Sequence, residues 1–319
     1  MNNSITLEII LNKHAGNGQS IKNWKKVKDY LEDEKVDYNV HLTDKKFGAR
    51  KIATNLANSL TDNKKILVLG GDGTLNQVLN GVKNSKNPET PIAYLPAGSG
   101  NDFSRGIKIK NLDTIDALKQ IIKMDNPLKI DIGKASSKDS VNYFLNNIGI
   151  GFDARTVFYT NNSKRKSFFN KLNIGSLAYV SSLLRVLKNQ KGFSIVVKDS
   201  NNNDIEFNNA YIVTATNHPY FGGGIAIDPK ASPFDQKLDL VVVNKISGLT
   251  FVKLFRKLLT NGSHLDDEDV WLLQENNFTL KNNQKQYGQM DGEELGNKNF
   301  DLKFEVSSHH FWIPIKKEA

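Results

Sequence analysis

The residues with chemical potential begin at Gly70-Gly71-Asp72-Gly73-Thr74-Leu75-Asn76. An apolar run, Lys64–Leu69, precedes them and reads as a buried strand, while Leu75, Val78, Leu79 and Val82 recur at helical spacing after them. The glycines therefore fall in a tight strand-to-helix turn, where backbone can approach a ligand closely. Unpaired N–H groups and the helix dipole at the start of a helix favour an anion, which makes the turn a candidate phosphate site. An acid inside such a turn repels phosphate unless a divalent cation lies between them. Magnesium suits, because it takes few protein carboxylates and keeps several waters. An ordinary Gly-Asp-Gly turn with a solvated aspartate explains the same residues equally well. The spacing is neither that of a Walker A loop nor that of a Rossmann fingerprint.

The elements that must position this turn alternate between strand and helix. Ile5–Leu11 reads as a strand leading into Asn12-Lys13-His14-Ala15-Gly16-Asn17-Gly18, and Ser20 is read as the N-cap of a helix with Ile21, Trp24, Val27 and Leu31 on its apolar face. Tyr38–Leu42 is a second strand ending at Thr43, and Ala49–Leu60 a second helix. Pro91–Leu95 is a further strand, running into Pro96-Ala97-Gly98-Ser99-Gly100-Asn101-Asp102, and Asn111–Met124 is helical. Such alternation means a parallel α/β sheet, in which ligands bind beyond the carboxyl ends of the strands. Three strand ends carry Gly/Asn-rich turns, and together they point to one polyphosphate cleft.

After about Lys129 the pattern changes to short strands: Lys129–Lys134, Tyr143–Ile148, Phe193–Lys198, Glu206–Thr216, Leu238–Val243, Val270–Leu273, Phe278–Leu280 and Phe300–Val306. Few helical patterns interrupt them, so a second, mainly antiparallel domain is expected. One helix stands out, Ile174–Asn189, with Leu177, Val180, Leu184 and Leu187 on one face. Lys164, Arg165, Lys166, Lys171, Arg185, Lys188 and Lys191 cluster in and around it. It is read either as a helix packed on its own sheet or as one that lies on an anionic membrane.

The chain has 319 residues, enough for two domains, and a net charge of +9. The charge fits solubility, or attraction to anionic lipid and phosphorylated substrates. No basic stripe interleaved with aromatics suggests nucleic acid. No cysteine is present, which excludes disulfides and thiolate metal sites. No apolar run approaches the roughly 20 residues of a membrane span, and the N-terminus has no secretory character. A cytoplasmic protein is expected.

The combination of Gly70-Gly71-Asp72-Gly73-Thr74-Leu75-Asn76, Pro96-Ala97-Gly98-Ser99-Gly100-Asn101-Asp102-Phe103 and Asp291-Gly292-Glu293 resembles the diacylglycerol kinase catalytic family, and within it the soluble bacterial lipid kinases. The resemblance covers almost the whole chain. Gly-Gly-Asp-Gly alone is shared with NAD kinases and phosphofructokinases, but the other two segments are not. It implies an ATP-binding three-layer α/β domain over residues 1–130, joined by a returning strand within 308–319 (Phe311–Ile315), and a C-terminal antiparallel β-sandwich over 131–307, with the active site between. Asn12, Thr43, Gly70, Gly71, Asp72, Gly73, Thr74, Asn76, Gly98, Ser99 and Asn101 match nucleotide-binding positions. Asp72, Asp102 and Asp131 match acids that hold the catalytic magnesium, largely through waters. Asp291 matches the general base, with Glu293 beside it, although Asp291-Gly292 taken alone reads as a hairpin turn. A structural magnesium matches the Asp235 carboxylate with the carbonyls of Ser232 and Lys237, although Gln236 stands where the family has glycine. Lys13 and Ser99 are smaller departures.

The activity implied is transfer of the ATP γ-phosphate to a lipid hydroxyl, foremost that of diacylglycerol. The alternatives are a sphingoid or other lipid alcohol, NAD, or a non-catalytic lipid-binding role. A membrane lipid substrate implies transient contact with an anionic membrane at its inner surface, and the family's habit of dimerising makes a homodimer an expectation. Phe152, Phe168, Phe169 and Tyr179 are acceptor-pocket candidates that look identical to core.

Overall fold

The computed structural model describes residues 5–43, 48–61, 63–109, 112–161 and 191–314. Two units form: Met1–Asp131 with Ser308–Ala319, and Ile132–Ser307.

In the first unit, β1 (Thr6–Leu11) is followed by α1 (Gln19–Asp33), β2 (Asp37–Leu42), α2 (Gly48–Ser59), β3 (Lys64–Gly70), α3 (Asp72–Lys83) and β4 (Ile92–Pro96). A short α4 (Asp102–Gly106) and α5 (Thr114–Lys123) complete it. The strands run parallel in the order β2-β1-β3-β4, with Leu11 level with Leu69 and Leu42, and Gly70 level with Pro96. Phe311 and Trp312 extend the sheet beyond β4, parallel to Ile92 and Ala93.

Alternation along β1 sends Leu7, Ile9 and Leu11 into one core with Val27 and Leu31 of α1 and Ala117, Leu118 and Ile121 of α5. On α2, Ala49, Ala53 and Ala57 form a buried stripe of small residues that admits α3 closely. A Cβ on Gly81 of α3 would lie 2.3 Å from the Arg50 carbonyl oxygen, and Thr54 Oγ1 donates to the Gly81 carbonyl at 2.8 Å. Lys65 is buried, its Nζ donating to the Ile121 and Met124 carbonyls at 2.9 and 2.7 Å, so its cation caps the C-terminus of α5. Helices on both faces of a parallel sheet make the three-layer α/β architecture.

Helix α1 departs from its sequence reading. Gly18 (φ 92°) holds the N-cap position; Ser20 lies inside the helix, buried, on a face with Asn23, Val27 and Leu31, and Ile21 is exposed.

The second unit is antiparallel throughout. It contains β5 (Leu128–Ser136, entering from the first unit), β6 (Val141–Phe144), β7 (Asn147–Gly151), α6 (Phe152–Asn161), β8 (Phe193–Lys198) and β9 (Asp204–Thr216). A two-residue pair, β10 (Tyr220–Phe221) and β11 (Ile225–Ala226), precedes β12 (Leu238–Asn244), α7 (Gly248–Thr260), β13 (Val270–Glu275), β14 (Asn277–Asn282), β15 (Gln286–Met290), β16 (Glu293–Lys298) and β17 (Asp301–Trp312). The main order is β16-β15-β7-β9-β8-β14-β17, and β12 joins β9 to β13. Inward residues including Phe144, Phe193, Leu240, Phe278 and Phe304 build the largest apolar core described in this unit, and Ile227, Val241, Val243 and Leu254 build a smaller one.

Two sequence readings change here, and a third, the turn at Asp291-Gly292, is kept. Tyr143–Ile148 is two strands, β6 and β7, because the Leu145 and Asn146 amides between them bond to the Asp291 side chain instead of a ladder. Helices α6 and α7 interrupt the strands, and the hairpin β15–β16 flanks Asp291-Gly292. The helix expected at 174–189, its basic residues other than Lys191, and Phe168, Phe169 and Tyr179 lie outside the described residues.

Candidate active site

In the first unit the sequence-read residues collect at the carboxyl ends of the parallel strands. Asn12 follows β1, and its Nδ2 donates to Thr74 Oγ1 at 2.9 Å, tying that strand end to the first turn of α3. The Thr43 amide donates to the Leu11 carbonyl at 3.1 Å, which sets the end of β2 beside it. The turns after β3 and β4 abut. The Ala97 amide donates to the Gly70 carbonyl at 2.7 Å, and a Cβ on Gly98 would stand 2.5 Å from Gly71 Cα. Gly71 and Gly98 thus have a packing reason to be glycine, in addition to any approach to phosphate. Asn101 (φ 54°) closes its own turn, Oδ1 accepting the Gly98 amide at 2.8 Å and Nδ2 donating to the Gly98 carbonyl at 3.0 Å. Ser99 is exposed at the tip, Gly73 lies in the first turn of α3, and Asn76 is buried, its Oδ1 accepting from Asn80 Nδ2 at 3.2 Å.

Asp72 does more than begin α3. Its Oδ2 accepts the Asp102 amide at 3.0 Å and its Oδ1 the Phe103 amide at 3.1 Å, so it caps α4. Burial, reinforced by the neighbouring Asp102 carboxylate, pushes Asp72 up to about 6. Asp102 is itself buried and paired with Arg105 one turn on. The Tyr94 hydroxyl is fully buried nearby; burial, with Asp72 and Asp102 adding to it, holds it well above the usual phenol range. Asp131 is buried on β5. Among the described residues no three carboxylates or histidines gather as a metal cluster, so Asp72, Asp102 and Asp131 do not form one. Two adjacent buried carboxylates, Asp102 adding to the upward shift of Asp72, fit a cation held by one or two acids and its own waters. Tyr94 and Arg105 were not legible as site residues; Arg105 offered a signal, one helical turn beyond Asp102.

The second unit holds the acid of Asp291-Gly292-Glu293 in the tight β15–β16 hairpin, both turn residues having positive φ (48° and 83°). The buried Asp291 carboxylate accepts three consecutive amides, from Leu145 at 2.8 Å, Asn146 at 2.9 Å and Asn147 at 3.0 Å. Glu293, half-buried, opens β16. Around the hairpin runs a polar chain that sequence reading missed. Gln289 Nε2 donates to Asn147 Oδ1 at 2.5 Å and to Asp153 Oδ2 at 3.2 Å, while its Oε1 accepts the Gly292 amide at 3.0 Å. Burial raises Asp153 to about 6. Nearby, His218 Nδ1 accepts the Tyr220 amide at 3.1 Å, which places the ring hydrogen on Nε2, facing Asn146 Oδ1 at 2.7 Å. Asp153 and Phe152 also line an apolar pocket with Phe221, Phe251, Phe255 and Leu258.

At the segment matched to a structural magnesium, Asp235 Oδ1 accepts the Lys237 amide at 3.0 Å, and Gln236 between them has φ 59°. The backbone thus takes the left-handed conformation that glycine favours, with glutamine in place. Asp228 and Asp239 are buried alongside; burial and then Asp228 push Asp239 up to about 7.

A sequence model described as the diacylglycerol kinase catalytic domain matches residues 6–135, and one described as the YegS C-terminal NAD kinase beta sandwich-like domain matches 146–307. The Bacillus subtilis (strain 168) protein named Putative lipid kinase YtlR is 31% identical over 304 residues, covering 92% of this chain and 94% of its own. The chain belongs to the diacylglycerol kinase catalytic family. It is a lipid kinase of that family, a phosphotransferase. A diacylglycerol kinase from the same Bacillus strain is 27% identical over 237 residues, covering 72% of this chain and 70% of its own. Among solved structures, a diacylglycerol kinase from Bacillus anthracis str. Sterne superimposes with a TM-score of 0.72 at 22% identity, covering 98% of this chain and 97% of its own; this likeness concerns the fold. No helix among the described residues is long and apolar enough to cross a membrane.

Proposed function

We propose that this diacylglycerol kinase family member transfers the γ-phosphate of ATP to the hydroxyl of diacylglycerol, yielding phosphatidic acid. The observation that carries the reading is the junction of the two glycine turns at Gly71 and Gly98, with Asp72 and Asp102 brought together beside it. Phosphoryl transfer demands close backbone, dipoles and charge compensation around the phosphates, and a carboxylate to accept the hydroxyl proton. In this reading Asn12, Thr43, the 70–76 turn, Ser99 and Asn101 hold the nucleotide. Asp72 and Asp102 would hold magnesium, with Asp131 reaching it through water, and the ion when bound would compensate phosphate charge. Asp291 takes the proton of the acceptor hydroxyl, its carboxylate oriented by the three amides, with Glu293 beside it. Asp235 with the carbonyls of Ser232 and Lys237 holds a structural magnesium.

The test is transfer of radiolabel from ATP with magnesium, offering diacylglycerol in anionic mixed micelles beside NAD and a sphingoid base. Label in phosphatidic acid supports the reading; label in another acceptor moves the substrate; no label in any acceptor overturns it.

A further inference from the structure

The four most exposed large apolar side chains described are Leu249, Val252, Leu259 and Phe234, at 87, 64, 57 and 52%. Three of them lie on α7. At about 100° per residue, Leu249, Val252, Lys253, Arg256, Leu259 and Thr260 occupy one arc of roughly 120°. The opposite face carries Phe251, Leu254, Phe255 and Leu258, which line the apolar pocket beside Phe152 and Asp153. The helix contains no acidic residue, and Ser247 caps it, Oγ accepting the Thr250 amide at 3.1 Å. Lys257, off the arc, is engaged with Asp267 at 3.0 Å, while Lys253 and Arg256 are exposed among the apolar side chains.

We propose that this outer face of α7 is a docking surface for an anionic lipid bilayer, a proposal that rests on the lipid-kinase reading and says where the enzyme meets its substrate's membrane. Solvent-facing leucine and valine interleaved with two cations match the layered chemistry of a bilayer surface, where apolar side chains enter the acyl boundary and cations sit among anionic headgroups. Large apolar groups gathered on one exposed helix face mark such contacts, whereas isolated ones are ordinary. Asp266 and Glu268 are exposed beyond the C-terminal end of α7, so the surface centres on Leu249–Arg256. The same helix then faces lipid on one side and the apolar pocket on the other.

The test is co-sedimentation of the full chain with phosphatidylcholine vesicles, with and without phosphatidylglycerol. The variants are Leu249→Ser with Val252→Ser, and Lys253→Gln with Arg256→Gln. Each pair is expected to weaken binding to phosphatidylglycerol vesicles by about tenfold or more. Melting temperature, and phosphoryl transfer to a short-chain diacylglycerol dissolved as monomer, stay unchanged. Wild-type chain that binds vesicles, with variants that lose binding, supports the surface even if no acceptor is phosphorylated, which would sink only the kinase reading. Variants that bind like wild type, or wild type that binds no vesicle, overturn the surface while dissolved-acceptor activity preserves the kinase. A dimer that the apolar pair converts to monomer without vesicles overturns it too, since the face then belongs to a second copy.

Discussion

Asp72 closes the N-terminus of the helix that Asp102 begins: its Oδ2 accepts the Asp102 amide at 3.0 Å, while burial, with the Asp102 carboxylate adding to it, raises Asp72 to about 6. One side chain therefore orders the second glycine turn and supplies charge to the proposed magnesium site. Asp72→Asn keeps one acceptor for the α4 amides and removes the charge. Calorimetry should show wild-type ATP affinity falling when magnesium is chelated, and Asp72→Asn affinity weak and indifferent to magnesium. Equal magnesium dependence in both would remove Asp72 from the metal site.

Asp291 presents a different balance, because both its oxygens are engaged by the main chain. Asp291→Asn offers one oxygen to three amides and turns an NH2 toward backbone donors, so it should cost about 2–3 kcal/mol of stability besides activity. Glu293→Gln leaves the three amide bonds intact and should unfold at the wild-type urea concentration. If Asp291→Asn unfolds like wild type, the amide nest is not contributing as its geometry indicates.

Much of the first unit was legible because its signals are local. Leu75, Val78, Leu79 and Val82 did form the buried face of α3, and the glycine turns did fall at strand ends. Ser20 misled because Gly18 adopts a left-handed conformation that no side-chain chemistry announces. In the second unit α7 does carry a stripe, Phe251, Leu254, Phe255 and Leu258 at helical spacing, but it is short and its outer face adds Leu249, Val252 and Leu259, so the helix does not stand out among the strands. The Asp153–Gln289–Asn147 chain joins positions more than 130 residues apart, so only the fold assembles it.

Gln236 keeps a left-handed φ of 59° between Asp235 and Lys237. An L-residue there costs about 1–2 kcal/mol, partly offset in glycine by a larger loss of backbone freedom on folding. Gln236→Gly is therefore expected to raise stability by about 0.5–1 kcal/mol in urea denaturation. A structural magnesium at this turn would add to the gain when magnesium is present. A destabilised variant would mean that contacts of the glutamine side chain outweigh the backbone strain.

Asp153 supplies a pH dependence whose sign can be worked out. Its carboxyl is at about 6 in the fold, against 3.8 ordinarily, because burial penalises the charge. Between about pH 4 and 6 the folded chain holds a proton that the unfolded chain has released, so the Asp153 contribution to stability falls as pH rises and is flat above about 6. The shift corresponds to at most about 3 kcal/mol. His309 works the other way: burial lowers it to about 3, so the folded ring stays neutral while the unfolded one takes up a proton below 6.5, and stability rises with pH up to there. The two oppose each other in the wild-type profile, and only a difference separates them. Asp153→Asn should match wild type near pH 4 and exceed it in urea midpoint above pH 6. A difference independent of pH would mean that Asp153 is solvated in the native state.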